Sequence, residues 1–359
     1  MPNNLIFIAG KNAYQSIKEK GLSPDMVKVI AGAAGGPKWL VLNHLDRLLF
    51  ASWFKGRTEP LFLIGSSIGA WRFAAVSRSD PYQSIETFQD AYLNQSYSSK
   101  PTPQEISEET SRIRDTFLAG TGVQEILDHP YLRLNFMAVR SKWLNKAENK
   151  IIQGAGLAGT ALSNAISRKL LPFFFERTLF YHPKTPPPFF KTSEFPIQKV
   201  PIDKDNLEKA LLASGSIPLV MAGVTGIKGA SDGVYRDGGV IDYHLDIPFL
   251  EESDDKIVLY PHYSQKIIPG WLDKKLTWRT PRQSNMDKVL LIAPSESFVQ
   301  SLPYQKIPDR NDFWTFSQNN AERIKYWKTV ISKSESLAAE FADAVESNRI
   351  KDLVKPMSF

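Results

Sequence analysis

Three short clusters in this chain carry the residue types and spacing that acyl-transfer chemistry needs. The first is Gly65-Ser66-Ser67-Ile68-Gly69, a Gly-x-Ser-x-Gly pattern. A serine hydroxyl is a weak nucleophile at neutral pH, so it must be exposed, given a base and supplied with donors for the oxyanion. Gly65 and Gly69 leave the room that a sharp strand-to-helix turn at Ser67 requires. The second cluster, 32–38, reads Gly-Ala-Ala-Gly-Gly-Pro-Lys. The amides of Gly35 and Gly36 can point at a bound oxygen there, with the positive end of a helix dipole behind them. No Gly-Lys-Ser/Thr follows, so an oxyanion hole with Lys38 beside it fits better than a nucleotide phosphate loop. The third cluster is Asp237-Gly238-Gly239. A carboxylate on such a turn can act as general base for Ser67 directly, or orient a histidine that does. Asp232 and Asp242 lie close by and compete for that role. Taken singly, each cluster is also an ordinary turn sequence.

The histidines supply a rival. Of His44, His129, His182, His244 and His262, only the last two follow Asp237. That is the chain order of a Ser-Asp-His esterase, so His244 and His262 are the alternative bases. The chain has no cysteine, which excludes disulfides and thiolate metal sites. With no His-Glu-x-x-His pattern and no EF-hand loop, neither a metal nor a cofactor is expected. A literal Gly-x-Gly-x-x-Gly at 154–159 follows a polar stretch rather than a strand, and so fails the context test for a dinucleotide.

These clusters need elements to hold them. Apolar runs at 26–31, 60–64, 132–139, 198–202, 256–260 and 288–292 predict buried strands. Residues 38–50 carry leucines at helical spacing and predict an amphipathic helix; 69–76 predict a second helix with small residues suited to close packing. The β-turn-α alternation predicts an α/β fold, three-layered α/β/α with a mainly parallel central sheet. We expect one domain over 1–359, with a core at about 26–300, a polar helical cover at about 84–127 and C-terminal helices at about 319–354. The run 151–175, rich in apolar and small residues and flanked by Arg168, Lys169 and Arg177, reads in two ways. It is either a core helix leading into a buried aromatic loop, or an interfacial lip that touches lipid.

In their order along the chain, the three clusters resemble the patatin-like phospholipases, lipid acyl hydrolases with a Ser-Asp dyad. Gly35, Gly36 and Lys38 match that family's glycine-rich oxyanion motif, Ser67 its nucleophile and Asp237 its Asp-Gly-Gly. The segment Ala213-Ser214-Gly215-Ser216-Ile217-Pro218 resembles the one that precedes the family's aspartate. The resemblance spans about 26–248 and departs from the pattern at Ala34 and Trp39, which stand where glycines are usual. It implies hydrolysis of phospholipids or other fatty-acyl esters through an acyl-Ser67 intermediate. Gly65, Gly69, Gly238 and Gly239 would support the site. A catalytically weak or silent lipid-binding protein on the same fold is the alternative of another class.

Composition narrows the partners. The formal charge is +6 on 359 residues, an excess that favours anionic surfaces. The basic residues are dispersed, without a Lys/Arg tract, so nucleic acid is not expected; the excess either serves solubility without a partner or supports peripheral contact with an anionic membrane. The N-terminal run lacks the basic start and long apolar stretch of a signal peptide. No run approaches roughly 18 apolar residues, and the expected location is cytoplasmic.

Overall fold

The computed structural model describes residues 3–191 and 195–358. Among these, ten strands form one central sheet flanked by helices, a three-layer α/β/α arrangement. In chain order the strands are β1 (Leu5–Ala9), β2 (Val27–Gly32), β3 (Leu61–Ser66), β4 (Leu132–Ser141) and β5 (Phe175–Tyr181). They continue as β6 (Ile197–Pro201), β7 (Val234–Asp237), β8 (Ile257–Pro261), β9 (Val289–Pro294) and β10 (Val354–Pro356). The spatial order is β10-β1-β9-β8-β2-β3-β4-β5-β6, with β7 pairing β4 off this path. The centre, β9-β8-β2-β3-β4, is parallel throughout. Its strands are almost wholly buried, which is why they read as continuous apolar runs.

All six predicted strands are present, within a residue or two of the expected ends. Four more were not read from the sequence. The strand β1 is only five residues long, and β10 lies at the end of the stretch 319–354 expected to be helical. The strand β5 contains Glu176, Arg177 and Thr178, and β7 is only four residues long.

The amphipathic helix expected at 38–50 is corrected. The chain runs as a 3-10 turn (Gly36–Leu42), an α-helical segment (Asn43–Leu48) and a π turn (Leu49–Trp53). It is enclosed nearly all round rather than exposing a polar face. Its Asp46 is buried against Arg72 of the following helix, accepting two hydrogen bonds of 2.8 and 2.6 Å. Above it lie the helices Pro81–Leu93, Pro103–Leu118 and Gly122–Asp128. Asp80 and Thr102 cap the first two of these by accepting from the amides of Gln83 and Glu105. Trp39, at a position where a glycine was expected, turns into this layer and stacks on Phe88 at 4.7 Å. The literal Gly-x-Gly-x-x-Gly falls inside the helix Lys150–Ile166, with no turn to hold a phosphate.

Strand β3 runs parallel to β4 and ends with Ser66 opposite Met137. Strand β7 runs antiparallel to β4 and ends with Asp237 opposite Ala138. Because β5 occupies the other edge of β4, β3 and β7 share one edge and meet tip to tip on adjacent β4 residues.

Candidate active site

At that junction the chain turns sharply. Ser67 has φ 54° and ψ −126°, a left-handed conformation that a side chain adopts only under constraint. The helix Ile68–Val76 begins immediately after it. Gly69 is required by close approach, since a Cβ there would lie 2.1 Å from the carbonyl oxygen of Gly32. Gly65 is packed just as tightly on the backbone of Ala70. The elbow is pinned from the far side: the Ser67 amide donates to Ser214 Oγ at 3.0 Å, and that hydroxyl donates to the Met137 carbonyl at 2.7 Å. Ser214 belongs to the Ala-Ser segment noted in the sequence, and its role there is to fix the turn.

Asp237 closes the pair. Ser67 Oγ donates to Asp237 Oδ2 at 2.7 Å, and both residues are buried, each 4% exposed. The other carboxylate oxygen accepts from the Gly239 amide at 2.7 Å, so the group is oriented by its own turn. Gly238 packs on the Met137 carbonyl and Gly239 on Ala34, leaving no space for a side chain at either. Burial pushes the Asp237 carboxyl above its ordinary pKa, opposed by Arg310, by the Ser67 hydroxyl and by Lys274. A base raised in this way binds a proton more readily than a free carboxylate.

Gly35 and Gly36 lie at the start of the 3-10 turn, where amides have no helical partner. Gly36 has φ 57° and borders the same cavity as Ser67. Gly35 packs so closely on the phenol end of Tyr263 that a Cβ there would lie 2.7 Å from its ring. Tyr263 Oη donates to the Ala34 carbonyl, which fixes the loop. Lys38 does not reach into the cavity; its ammonium sits over the Tyr263 ring at 4.8 Å, and burial lowers its pKa.

The two rival histidines are placed elsewhere. His244 Nδ1 accepts from the Ile268 amide at 2.9 Å, which puts the ring proton on Nε2, 2.7 Å from Tyr263 Oη. Both nitrogens are therefore engaged, Nε2 in holding Tyr263 and Nδ1 on the backbone, and burial drives the pKa well below the ordinary value, so the ring is neutral. His262 meets its ring edge to face, with Nδ1 on the Ser264 backbone and its pKa pushed down to about 3 by burial. Asp242 is paired with Arg177, and Asp232 lies on the loop before β7, where its carbonyl accepts from Arg140.

Sequence reasoning missed Arg310. It comes from the loop after 306, lies against Gly36 and borders both the cavity at Ser67 and the small cleft at Asp237. With Lys38 and Lys274 it makes this rim electropositive; burial and these cations together lower Lys274 to about 8. No motif surrounds Arg310, and only closure of the C-terminal segment over the site brings it there. The cavity itself, roughly 210 Å³, runs from Ser67 between the helical cover and the C-terminal segment. Trp71, Ile106, Ile113, Met221 and Phe313 line it. Among the described residues no group of His, Asp and Glu could hold a metal ion.

No family model matches the chain. No curated protein matches it. Among solved structures it is similar to VipD from Legionella pneumophila, with a TM-score of 0.31 and 13% identity over 72% of this chain. The match covers 53% of VipD, so this chain aligns with about half of that protein's length.

Proposed function

We propose that the protein is a serine hydrolase of fatty-acyl esters that works with a Ser67–Asp237 dyad. The observation that carries this is the buried 2.7 Å hydrogen bond from a strained serine hydroxyl to a carboxylate whose pKa is raised. The order of the motifs, which resembles the patatin-like phospholipases, supports the same reading. The ester carbonyl oxygen rests on the amides of Gly35 and Gly36. Ser67 Oγ attacks the carbonyl carbon as Asp237 takes its proton, and the proton then passes to the departing alcohol. Water, deprotonated by Asp237, attacks the acyl-serine and releases the fatty acid. Each amide donor in such a hole contributes about 2.7–4 kcal/mol to the barrier reduction.

A fluorophosphonate probe tests the nucleophile. It should label the wild type on Ser67, as read by peptide mass, and leave Ser67→Ala unlabelled. Equal labelling of both proteins would remove Ser67 from the chemistry. Binding of lipid without labelling or turnover would favour the silent lipid-binding alternative.

The apolar cavity is assigned to the acyl chain. Met221→Trp should shorten it, so that turnover of long-chain esters falls while that of short-chain esters is kept. Excluding two methylenes loses about 1.6 kcal/mol, roughly fifteenfold in relative kcat/KM. An unchanged ratio of long to short substrates would place the acyl chain elsewhere.

A further inference from the structure

The helix Lys150–Ile166 is inside out. Its buried positions include Gln153, Thr160 and Asn164, and all three polar side chains have partners. Gln153 donates to the Ala147 carbonyl, Thr160 accepts from Asn145, and Asn164 donates to Asp273 at 2.7 Å. Its outward face carries Ile151 (83% exposed), Leu162 (71%) and Ile166 (83%), with Ala155, Ala158 and Ala165 between them. A surface helix of a water-soluble fold shows the opposite pattern. The adjoining turns extend the same face with Trp143 and Phe173, exposed at 72% and 66% and tied together by a 2.9 Å bond from the indole N–H to the Phe173 carbonyl.

We propose that this face docks on the surface of an anionic lipid bilayer. Isoleucine and leucine along one stripe, with tryptophan and phenylalanine at its end, is the composition of a helix lying in a membrane interface. The charge is complementary as well. Lys146, Lys150 and Lys169 are exposed around the stripe and make no ion pair among the described residues. The one carboxylate in their midst, Glu148, is paired with Arg236. Among the described residues no helix is long and apolar enough to cross a membrane, so the contact is peripheral. The helix also contacts a segment of the site from its opposite, buried side. Gln153 Oε1 accepts from the Leu219 amide at 2.6 Å, and the neighbours Ile217, Val220 and Met221 line the cavity beside Ser67. The docking rests on the acyl-ester reading only for what happens next, because binding itself needs no turnover.

Vesicle sedimentation tests it, using phosphatidylcholine alone and phosphatidylcholine mixed with phosphatidylserine. Wild type and Ser67→Ala should bind alike, so a failure of the hydrolase reading leaves this measurement intact. The triple variant Ile151→Ser, Leu162→Ser, Ile166→Ser should bind at least about tenfold more weakly while keeping turnover of a soluble short-chain ester. Reversing Lys146, Lys150 and Lys169 to glutamate should remove the preference for phosphatidylserine and its salt sensitivity. Undiminished binding by the triple serine variant would overturn the proposal. So would a wild type that ignores vesicles and forms a dimer which the variant loses, since the face would then join two copies. Because the chain has no cysteine, Leu162→Cys offers a readout that survives misfolding of the triple variant. A polarity-sensitive dye on it should shift to the blue with mixed vesicles, and no shift would overturn the proposal.

Discussion

Asp237→Asn is expected to lower kcat on a soluble ester by about 10⁴-fold or more with little change in KM. The amide can still accept from Gly239 and bond to Ser67 Oγ, so the elbow keeps its shape, but it cannot take the serine proton. Two further measurements follow from the raised pKa of the aspartate. In the wild type the acid limb of kcat/KM should lie above about pH 4, the ordinary carboxylate value, because protonating Asp237 removes the base. Stability should respond with the opposite sign. A folded-state pKa above the unfolded one means that the folded protein binds the extra proton. The stabilisation is present below the unfolded pKa and is lost as pH rises through the folded one. At neutral pH the ionised Asp237 is thus a destabilising group, and Asp237→Asn should melt at a higher temperature than the wild type. That gap should close as pH falls below about 4. A variant that retains activity, or melts lower at pH 7, would contradict the dyad or its electrostatics respectively.

Asp242→Ala should destabilise the fold by about 3–5 kcal/mol. Arg177 and Asp242 are both wholly buried, joined by bonds of 2.8 and 2.7 Å in a bidentate pair. Removing the carboxylate strands the guanidinium, which also lies over the ring of Phe195, at 4.8 Å. The location gives the loss a second consequence. Asp242 follows the turn Gly238–Val240, and its amide donates to the Gly238 carbonyl at 2.8 Å. The pair therefore clamps the turn that orients Asp237 against strand β5. Replacing both partners, Arg177→Met with Asp242→Leu, should recover most of the stability, because no buried charge is then left alone. Urea unfolding of the single and double variants reads this directly. A loss below about 1 kcal/mol for Asp242→Ala would mean that water reaches Arg177.

Much of this architecture is legible in the sequence for a simple reason. Strands of a buried parallel sheet are apolar on both faces, so 60–64 and 256–260 announce themselves. Ser67 and Asp237 carry the glycines that close packing demands of them, and those glycines are visible as motifs. The strand β5 escaped because its Arg177 is polar in type and buried only through a partner 65 residues away. The segment 38–50 showed leucines at helical spacing, but periodicity says nothing of a layer above that buries the polar side as well. Trp39 illustrates the same gap, since its type marked a departure from a motif while its direction depended on Phe88. For the histidines, chain order admitted His244 and His262, whereas the hydrogen bonds of His244 assign it to Tyr263. Arg310 had no local signal at all.

The tip-to-tip meeting of β3 and β7 on β4 also bears on how the protein comes into being. Ser67 and Asp237 are 170 positions apart, so a chain emerging from the ribosome completes the serine turn long before its partner strand exists. Pairings this distant in sequence form late, because loop closure must precede the contacts that reward it. Until β7 settles against Ala138 the hydroxyl lacks the Asp237 carboxylate as acceptor for its proton, and the dyad is incomplete. The bond between Ser67 and Asp237 is in this sense a report that β7 has arrived.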